Sequence, residues 1–262
     1  MKHLFLIKAY LKYWLKASSA HGIHSPFVFD FIKHIVEDKR HFYAFDEIKN
    51  LRSKLHENNQ WVEVEDFGAG SLKSVSSKRK ICDIAKTAGR NEVFGKILFR
   101  MVNHYQLKNI IELGTSLGIG TSYLALANQH ANIQTIEGSK NVAQEASKNL
   151  AFMDIKNVTQ HIGNFDDLLS PILKQQPFDL LFVDGNHRKV PTLNYFKMAL
   201  PFIQENSIMI FDDIHWSAGM QEAWEEIKNH PQVTYSLDLF YFGIVFFKKD
   251  FKEKQDFVLK FK

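Results

Sequence analysis

Apolar runs alternate with amphipathic stretches through the second half of the chain. Five runs predict strands, at 109–113, 133–137, 158–162, 178–183 and 207–211. A predicted helix follows each of them, at about 119–130, 139–152, 166–175, 189–200 and 217–229. Apolar strands that alternate with helices are typical of a parallel sheet covered on both faces.

The end of the chain departs from this alternation. Two further apolar runs, 233–239 and 241–247, are separated by a single residue, which predicts a hairpin and an antiparallel strand at the sheet edge. We therefore predict an α/β fold with a doubly wound, Rossmann-like sheet. It has seven strands, is mostly parallel, ends in a reversed β-hairpin and is preceded by an N-terminal helical appendage.

The N-terminal part predicts helices. Lysine recurs every four residues along one face of the segment 4–16, so an amphipathic helix is expected there; it covers a core or a dimer interface, or lies on a membrane. A Ser-Pro pair at 25–26 indicates the start of a second helix, which we expect to reach about residue 37. The Gly-, Ser- and Lys-rich residues 66–80 predict an exposed loop, and 92–105 predicts another helix.

Charge also divides the chain. Residues 1–107 hold 18 Lys and Arg against 11 Asp and Glu, whereas residues 108–262 hold 15 against 18. We interpret residues 1–100 as a helical cap and 101–262 as the catalytic domain. The basic part is either a solvated face or a contact for an anionic partner.

Composition excludes several classes of protein. Hydrophobic residues make up 45% and charged residues 24% of the 262, as in a globular domain. Cys82 is the only cysteine, which excludes a disulfide framework and a cysteine-based zinc site. No apolar run reaches 18 residues, so no membrane span is expected, and without a signal-peptide pattern we expect a cytoplasmic protein.

The first strand of the second half runs into a glycine-rich turn, ELGTSLGIGT at 112–121. Its glycines permit a tight turn and a close approach of backbone to ligand. An acid before the first glycine suits a cationic ligand group, in contrast to the G-x-G-x-x-G pattern of dinucleotide sites. The candidate binding residues of this turn are Glu112, Gly114, Thr115, Ser116, Gly118, Gly120 and Thr121.

Two later strands add groups that suit a nucleoside. Glu137 ends the second strand, where an acid accepts hydrogen bonds from ribose hydroxyls. Asn164 and Phe165 follow the third strand and offer an amide and a ring to adenine.

Three carboxylates end the last two parallel strands: Asp184 after the fourth, and Asp212 and Asp213 after the fifth. Together they would repel and raise one another's pKa unless a cation relieved the repulsion. Oxygen ligands suit Mg²⁺, Mn²⁺ or Ca²⁺, so the three are candidate metal ligands.

Residues 108–247 resemble the class I S-adenosylmethionine-dependent methyltransferases, and more narrowly the small-molecule O-methyltransferases related to the catechol and caffeoyl-CoA enzymes. The glycine turn, the acidic second strand, the strand-four Asp and the hairpin carry this resemblance. It implies S-adenosylmethionine as cofactor, with Glu112 near the methionine amino group, Gly114 and Ser116 along the methionine, Glu137 on the ribose, and Asn164 and Phe165 at adenine.

The resemblance also implies metal and catalytic roles. In the metal-dependent members one ligand follows strand four and an Asp-Asn pair follows strand five; Asp184, Asp212 and Asp213 occupy these places, with Asp213 where Asn is usual. His187 stands where the family has a basic Lys. It is a candidate general base beside Asp184, and metal ligation or a substrate hydrogen bond are its alternatives.

These observations favour methylation of an oxygen on a small hydroxylated acceptor, assisted by a divalent cation such as Mg²⁺. The alternatives are a methyltransferase acting on a macromolecule, RNA or protein, and a nucleoside-binding protein without turnover. We expect no nucleic-acid partner, because the sequence has no RNA-binding motif. Dimerisation through the helices of 1–40 is compatible with the pattern.

Overall fold

The structure is a computed structural model that describes residues 2–19, 22–66, 75–87, 92–249 and 253–260. The chain divides into two compact units. One consists of residues 38–172, and the other combines residues 1–37 with 173–262.

Ten helices and ten strands occur among the described residues. The helices are α1 (Lys2–Lys16), α2 (Pro26–Phe31), α3 (Tyr43–Glu57), α4 (Ile81–Thr87), α5 (Glu92–Tyr105), α6 (Ile119–Ala127), α7 (Lys140–Phe152), α8 (Phe165–Leu173), α9 (Lys189–Ala199) and α10 (Ala218–Lys228). The strands are β1 (Trp61–Asp66), β2 (Val75–Lys80), β3 (Asn109–Leu113), β4 (Asn132–Glu137), β5 (Val158–Ile162), β6 (Leu180–Val183), β7 (Ile208–Phe211), β8 (Tyr235–Asp238), β9 (Gly243–Phe246) and β10 (Gln255–Val258). No helix in the described ranges is long and apolar enough to cross a membrane.

The unit of residues 38–172 contains three of the predicted parallel strands. β3 pairs with β4 and β4 with β5, both in parallel. The register sets Glu112 opposite Thr135. β3 is buried from Ile110 to Leu113, so its apolar run has no solvent face. This part of the parallel prediction is confirmed.

The prediction of a loop over 66–80 is wrong for its last residues. Residues 75–80 form β2, which pairs antiparallel with β1, with Trp61 opposite Lys80. The sequence of β2, VSSKRK, has no apolar alternation, so its pattern does not distinguish it from a loop. Residues 67–74, with the FGAGS run at 67–71, lie outside the described residues.

The unit of residues 1–37 and 173–262 contains the other parallel pair and the reversed hairpin. β6 and β7 are parallel, whereas β9 is antiparallel to both β7 and β8. The hairpin is confirmed. β10 adds a parallel neighbour to β8, so the two units together hold eight described strands of this fold, where seven were predicted. β10 is half-buried and its sequence, QDFV, begins with two polar residues. It therefore has no apolar run from which a strand could be predicted.

The N-terminal helices of this unit agree with the sequence. Ala9 and Tyr13 of α1 pack on Phe240, together with Ala17. The second predicted helix begins at Pro26, where the Ser25 side chain accepts a hydrogen bond from the Val28 backbone N–H (3.4 Å). It continues beyond α2 as a π-helical turn over Ile32–Val36, which accounts for the predicted length.

Gly95 marks the closest approach of α5 to α6. A Cβ at this position would lie 2.2 Å from the ring of Tyr123, a residue that is 1% exposed. We expect Gly95→Ala to destabilise the protein by about 1–3 kcal/mol, because overpacking outweighs the gain in helix propensity of roughly 1 kcal/mol.

Urea denaturation tests this expectation, with Gly219→Ala as the control. A Cβ at Gly219 meets nothing closer than 3.5 Å, so the exchange in α10 should be neutral or stabilising. Equal stability of the two variants would contradict the close packing of α5 on α6.

Candidate functional site

The turn between β3 and α6 has an unusual backbone. Gly114, Ser116 and Gly118 have positive φ values of 108°, 49° and 80°. The Gly114 N–H donates to the Ile136 carbonyl (2.9 Å), and the Gly118 N–H donates to the Thr115 carbonyl (2.8 Å). The glycine pattern therefore forms the tight turn that was predicted, and it is tied to the end of β4.

Glu137, at the end of β4, links that strand to the glycine turn that follows β3. One oxygen of its carboxylate accepts the Ser116 N–H (2.8 Å), and the other accepts the Ser139 N–H (2.9 Å). Burial raises the pKa of this carboxyl, and backbone hydrogen bonds oppose the rise. The acid predicted for ribose thus lies at the edge of the glycine turn and orders it.

Glu112 is buried beneath the same turn, with 1% of the residue exposed. Its carboxylate accepts hydrogen bonds from the hydroxyls of Thr121 (2.5 Å) and Thr135 (2.7 Å). Burial raises the pKa of Glu112 to about 7; the two hydroxyls oppose this, and the charge of Glu137 adds to it.

Small residues surround the Glu112 carboxylate. A Cβ on Gly120 would lie 3.1 Å from one carboxylate oxygen, and the Thr115 and Thr135 hydroxyl oxygens are 2.6 Å apart. Three of the predicted turn residues, Thr115, Gly120 and Thr121, are thus close to the acid or to its partners. Thr135 was not predicted, because nothing but its position across from Glu112 identifies it.

Asn164 and Phe165 lie where β5 leads into α8. The Gly163 N–H donates to the Glu137 carbonyl (2.9 Å), which brings this segment beside the acid. The Asn164 side-chain oxygen accepts the Asp166 N–H (3.2 Å), so it begins the helix. Phe165 is half-buried. Both residues border the edge of the sheet at which Glu137 lies.

A second cluster lies in the other unit. Asp184, His187 and Asp212 each offer a ligand atom, and these atoms lie within 4.8 Å of one another. The His187 Nε2 is 3.8 Å from an oxygen of Asp184. Asp213, predicted as the third ligand, is not in this group of described residues. Asp213 has a positive φ of 54°, and His187 is the third member of the group.

Charge repulsion dominates this cluster. The pKa of Asp212 is raised well above its usual value, first by burial and then by the charges of Asp184 and Asp213, while His187 opposes the rise. A bound divalent cation would favour the ionised form of Asp212 against both its burial and the repulsion from neighbouring carboxylates. Carboxylate and imidazole groups are ordinary ligands of divalent cations. The donor set therefore fits the cation that the sequence predicted.

The turn after Asp213 is fixed by a buried contact that the sequence did not predict. His215 Nε2 is 2.8 Å from an oxygen of Asp238, and its Nδ1 is 2.9 Å from the Gln221 amide nitrogen. The imidazole ring stacks on Phe240 at 5.2 Å. Both ring nitrogens are engaged, so His215 holds the turn to β8.

Comparison with known proteins identifies the segment that holds most of these residues. The family described as "Methyltransferase domain" matches residues 111–214. Residues 111–214 of this chain are therefore similar to a methyltransferase domain. The match includes the glycine turn, Glu137, the cluster residues Asp184 and His187, and Asp212.

Curated relatives agree with this assignment. The chain is 30% identical over 124 residues to a catechol O-methyltransferase of Niastella koreensis, covering 46% of this chain and 55% of the relative. It is 27% identical to a catechol O-methyltransferase of Mycobacterium tuberculosis, covering 48% and 57%. The matches thus span little more than half the length of these relatives.

Solved structures show the fold. A methyltransferase of Podospora anserina aligns with a TM-score of 0.61 and 14% identity, covering 87% of this chain and 98% of that one. An O-methyltransferase of Bacillus cereus aligns with a TM-score of 0.54 and 19% identity, covering 84% and 96%. The Rossmann-like methyltransferase fold and the predicted resemblance to class I enzymes are confirmed.

Proposed function

We propose that the methyltransferase domain uses S-adenosylmethionine to methylate an oxygen of a small hydroxylated acceptor, and that a divalent cation such as Mg²⁺ assists. One observation carries this proposal: Glu137 is bonded to the Ser116 N–H across a glycine turn of the matched domain. Support comes from the catechol O-methyltransferase relatives and from the solved O-methyltransferases of the same fold, one of them described as bound to SAH.

The turn residues suit the parts of this cofactor. The Glu137 carboxylate accepts from backbone N–H groups and has acceptor capacity left for a ribose hydroxyl. Gly114 and Ser116 present backbone to the methionine portion. Asn164 and Phe165 border the adenine. When bound, the cofactor supplies an electrophilic sulfonium methyl group.

Glu112 acts on the cofactor from below the turn. Its carboxylate accepts hydrogen bonds from Thr121 and Thr135 and stays buried. It therefore acts on the cofactor through its charge and not through direct contact. In its ionised form it contributes a negative potential where the methionine ammonium lies. Gly120 lets the turn lie close to this charge, because a Cβ there would be 3.1 Å from a Glu112 oxygen.

The cluster of Asp184, His187 and Asp212 activates the acceptor hydroxyl. His187 takes the proton from the acceptor hydroxyl, and Asp184, 3.8 Å away, stabilises the resulting imidazolium. Asp184 and Asp212 would hold a cation, with Asp213 adding negative charge beside them. His187 would be a ligand and not the base if its imidazole also bound the cation.

Residues 101–262 are proposed as the methyltransferase domain and residues 1–100 as the segment that shapes the acceptor pocket. The acceptor is proposed to be a small molecule, because the curated relatives with a named acceptor are catechol O-methyltransferases. The direct test incubates the purified chain with S-adenosylmethionine, Mg²⁺ and a panel of catechols and phenols. Formation of S-adenosylhomocysteine and a methylated phenol supports the proposal; no turnover on any acceptor, with no cofactor binding, would overturn it.

Replacing Glu137 by glutamine isolates its role in cofactor binding. We expect S-adenosylhomocysteine to bind roughly 10- to 100-fold more weakly by calorimetry, because charge-assisted hydrogen bonds of about 1.5–3 kcal/mol are lost. Glu205→Gln removes an exposed glutamate and should bind like the parent. Unchanged affinity in Glu137→Gln would show that the ribose lies elsewhere, and NADH should not bind to any of these proteins.

A further inference from the structure

Helix α1 has two apolar faces, and its own unit covers only one of them. Ala9 and Tyr13 are buried against Phe240, and the Tyr13 hydroxyl donates to the Leu259 carbonyl. The helix is therefore held in place by one side. Packing against Phe240 does not explain the apolar residues on the other face of α1, because those residues are exposed.

The second face is a continuous exposed stripe. Its members are 52% to 78% exposed. At 100° per residue they lie within an arc of roughly 100°, opposite the buried residues of α1. We call this set the α1 stripe, and it consists of Leu4, Ile7, Leu11, Trp14 and Leu15.

Cations border the α1 stripe on both edges. Lys8, Lys12 and Lys16 are exposed and follow one edge at four-residue spacing. At the other edge the ammonium of Lys260 lies 4.6 Å from the centre of the Trp14 ring. The sequence has no Asp or Glu among residues 1–29, so no carboxylate of this segment neutralises these lysines.

We propose that the α1 stripe binds a membrane surface that contains anionic phospholipids, with α1 lying in the plane of the interface. A lipid surface offers both things that the stripe lacks, an apolar layer for Leu11 and Leu15 and phosphate groups for the lysines. Tryptophan and lysine are also the residues that favour the headgroup region. A second copy of the chain would supply another apolar stripe, but its matching segment would bring more lysines and no acid.

Flotation of the full chain with vesicles tests this proposal. We expect binding to vesicles of phosphatidylcholine with 30% phosphatidylglycerol, at least tenfold weaker binding to phosphatidylcholine alone, and loss of most binding in 0.5 M salt. Changing Lys8, Lys12 and Lys16 together to Gln should weaken binding at least tenfold, since each lysine near an anionic surface contributes to attraction. The double change Leu11→Gln and Leu15→Gln should weaken it as well.

A matched variant separates a local effect from net charge. Lys49, Lys174 and Lys197 are exposed, and their joint exchange to Gln removes the same charge outside α1. It should float like the parent, and thermal unfolding should show that all variants are folded. Failure of the parent to float, or equal flotation of both lysine triples, would overturn the proposal. So would a dimer by light scattering that dissociates only in the Leu11 and Leu15 variant, because a second copy would then cover the stripe.

Discussion

Asp184→Asn is expected to lower methyl transfer at least 100-fold and to remove its dependence on Mg²⁺. The asparagine keeps the shape of the side chain but removes one negative charge. The ligand atoms of this cluster lie within 4.8 Å of one another. The cation loses one of its anionic ligands, and His187 loses the carboxylate that stabilises its protonated form. Steady-state rates of the parent and variant, each with chelator and with added Mg²⁺, measure both effects.

Two comparisons make this result specific. Asp154→Asn removes an exposed carboxylate from the other unit and should leave rate and Mg²⁺ dependence unchanged. His187→Gln distinguishes the two roles of the imidazole. If the imidazole is the base, its loss lowers the rate of methyl transfer while Mg²⁺ still binds. If the imidazole is a metal ligand, its loss lowers both the rate and the affinity for Mg²⁺. Full activity of Asp184→Asn, or activity that resists chelation, would contradict a cation held by Asp184.

The parallel strands and the glycine turn were predictable because their signals are local. β3 is apolar over consecutive buried positions, and the turn requires positive φ at Gly114 and Gly118, which glycine supplies without strain. β2 and β10 were not predictable in the same way. Most residues of β2 are polar and β10 begins with two polar residues, so neither shows an apolar run, and their pairing with β1 and β8 depends on the partner strands.

The candidate site was predictable in composition but not in arrangement. Glu112 was expected to face a ligand, yet its hydroxyl partners lie 9 and 23 residues away along the chain, and only the fold brings them to it. Asp213 was expected to be a metal ligand because it follows Asp212. The group of ligand atoms within 4.8 Å instead consists of Asp184, His187 and Asp212, and adjacency in sequence to Asp212 did not reveal this.

Glu112→Gln is expected to change how stability depends on pH. The pKa of Glu112 is raised from 4.5 to about 7 in the folded protein. The protonated form is thus favoured by folding, so its stabilising contribution is complete below pH 4.5 and is lost as pH rises through 7. A shift of this size corresponds to about 3 kcal/mol between the two limits, at 1.36 kcal/mol per pKa unit.

Urea denaturation of the cofactor-free protein at pH 5 and pH 7.5 measures this contribution. The parent should lose about 2 kcal/mol more than Glu112→Gln over this interval, because glutamine has no proton to lose while still accepting from Thr121 and Thr135. Contributions from groups that do not interact with Glu112 cancel in the difference between the two proteins. Glu205→Gln, which changes an exposed glutamate, should follow the parent. Parallel losses in the parent and Glu112→Gln would mean that Glu112 is ionised throughout the interval, and its burial against two hydroxyls would then not control its charge.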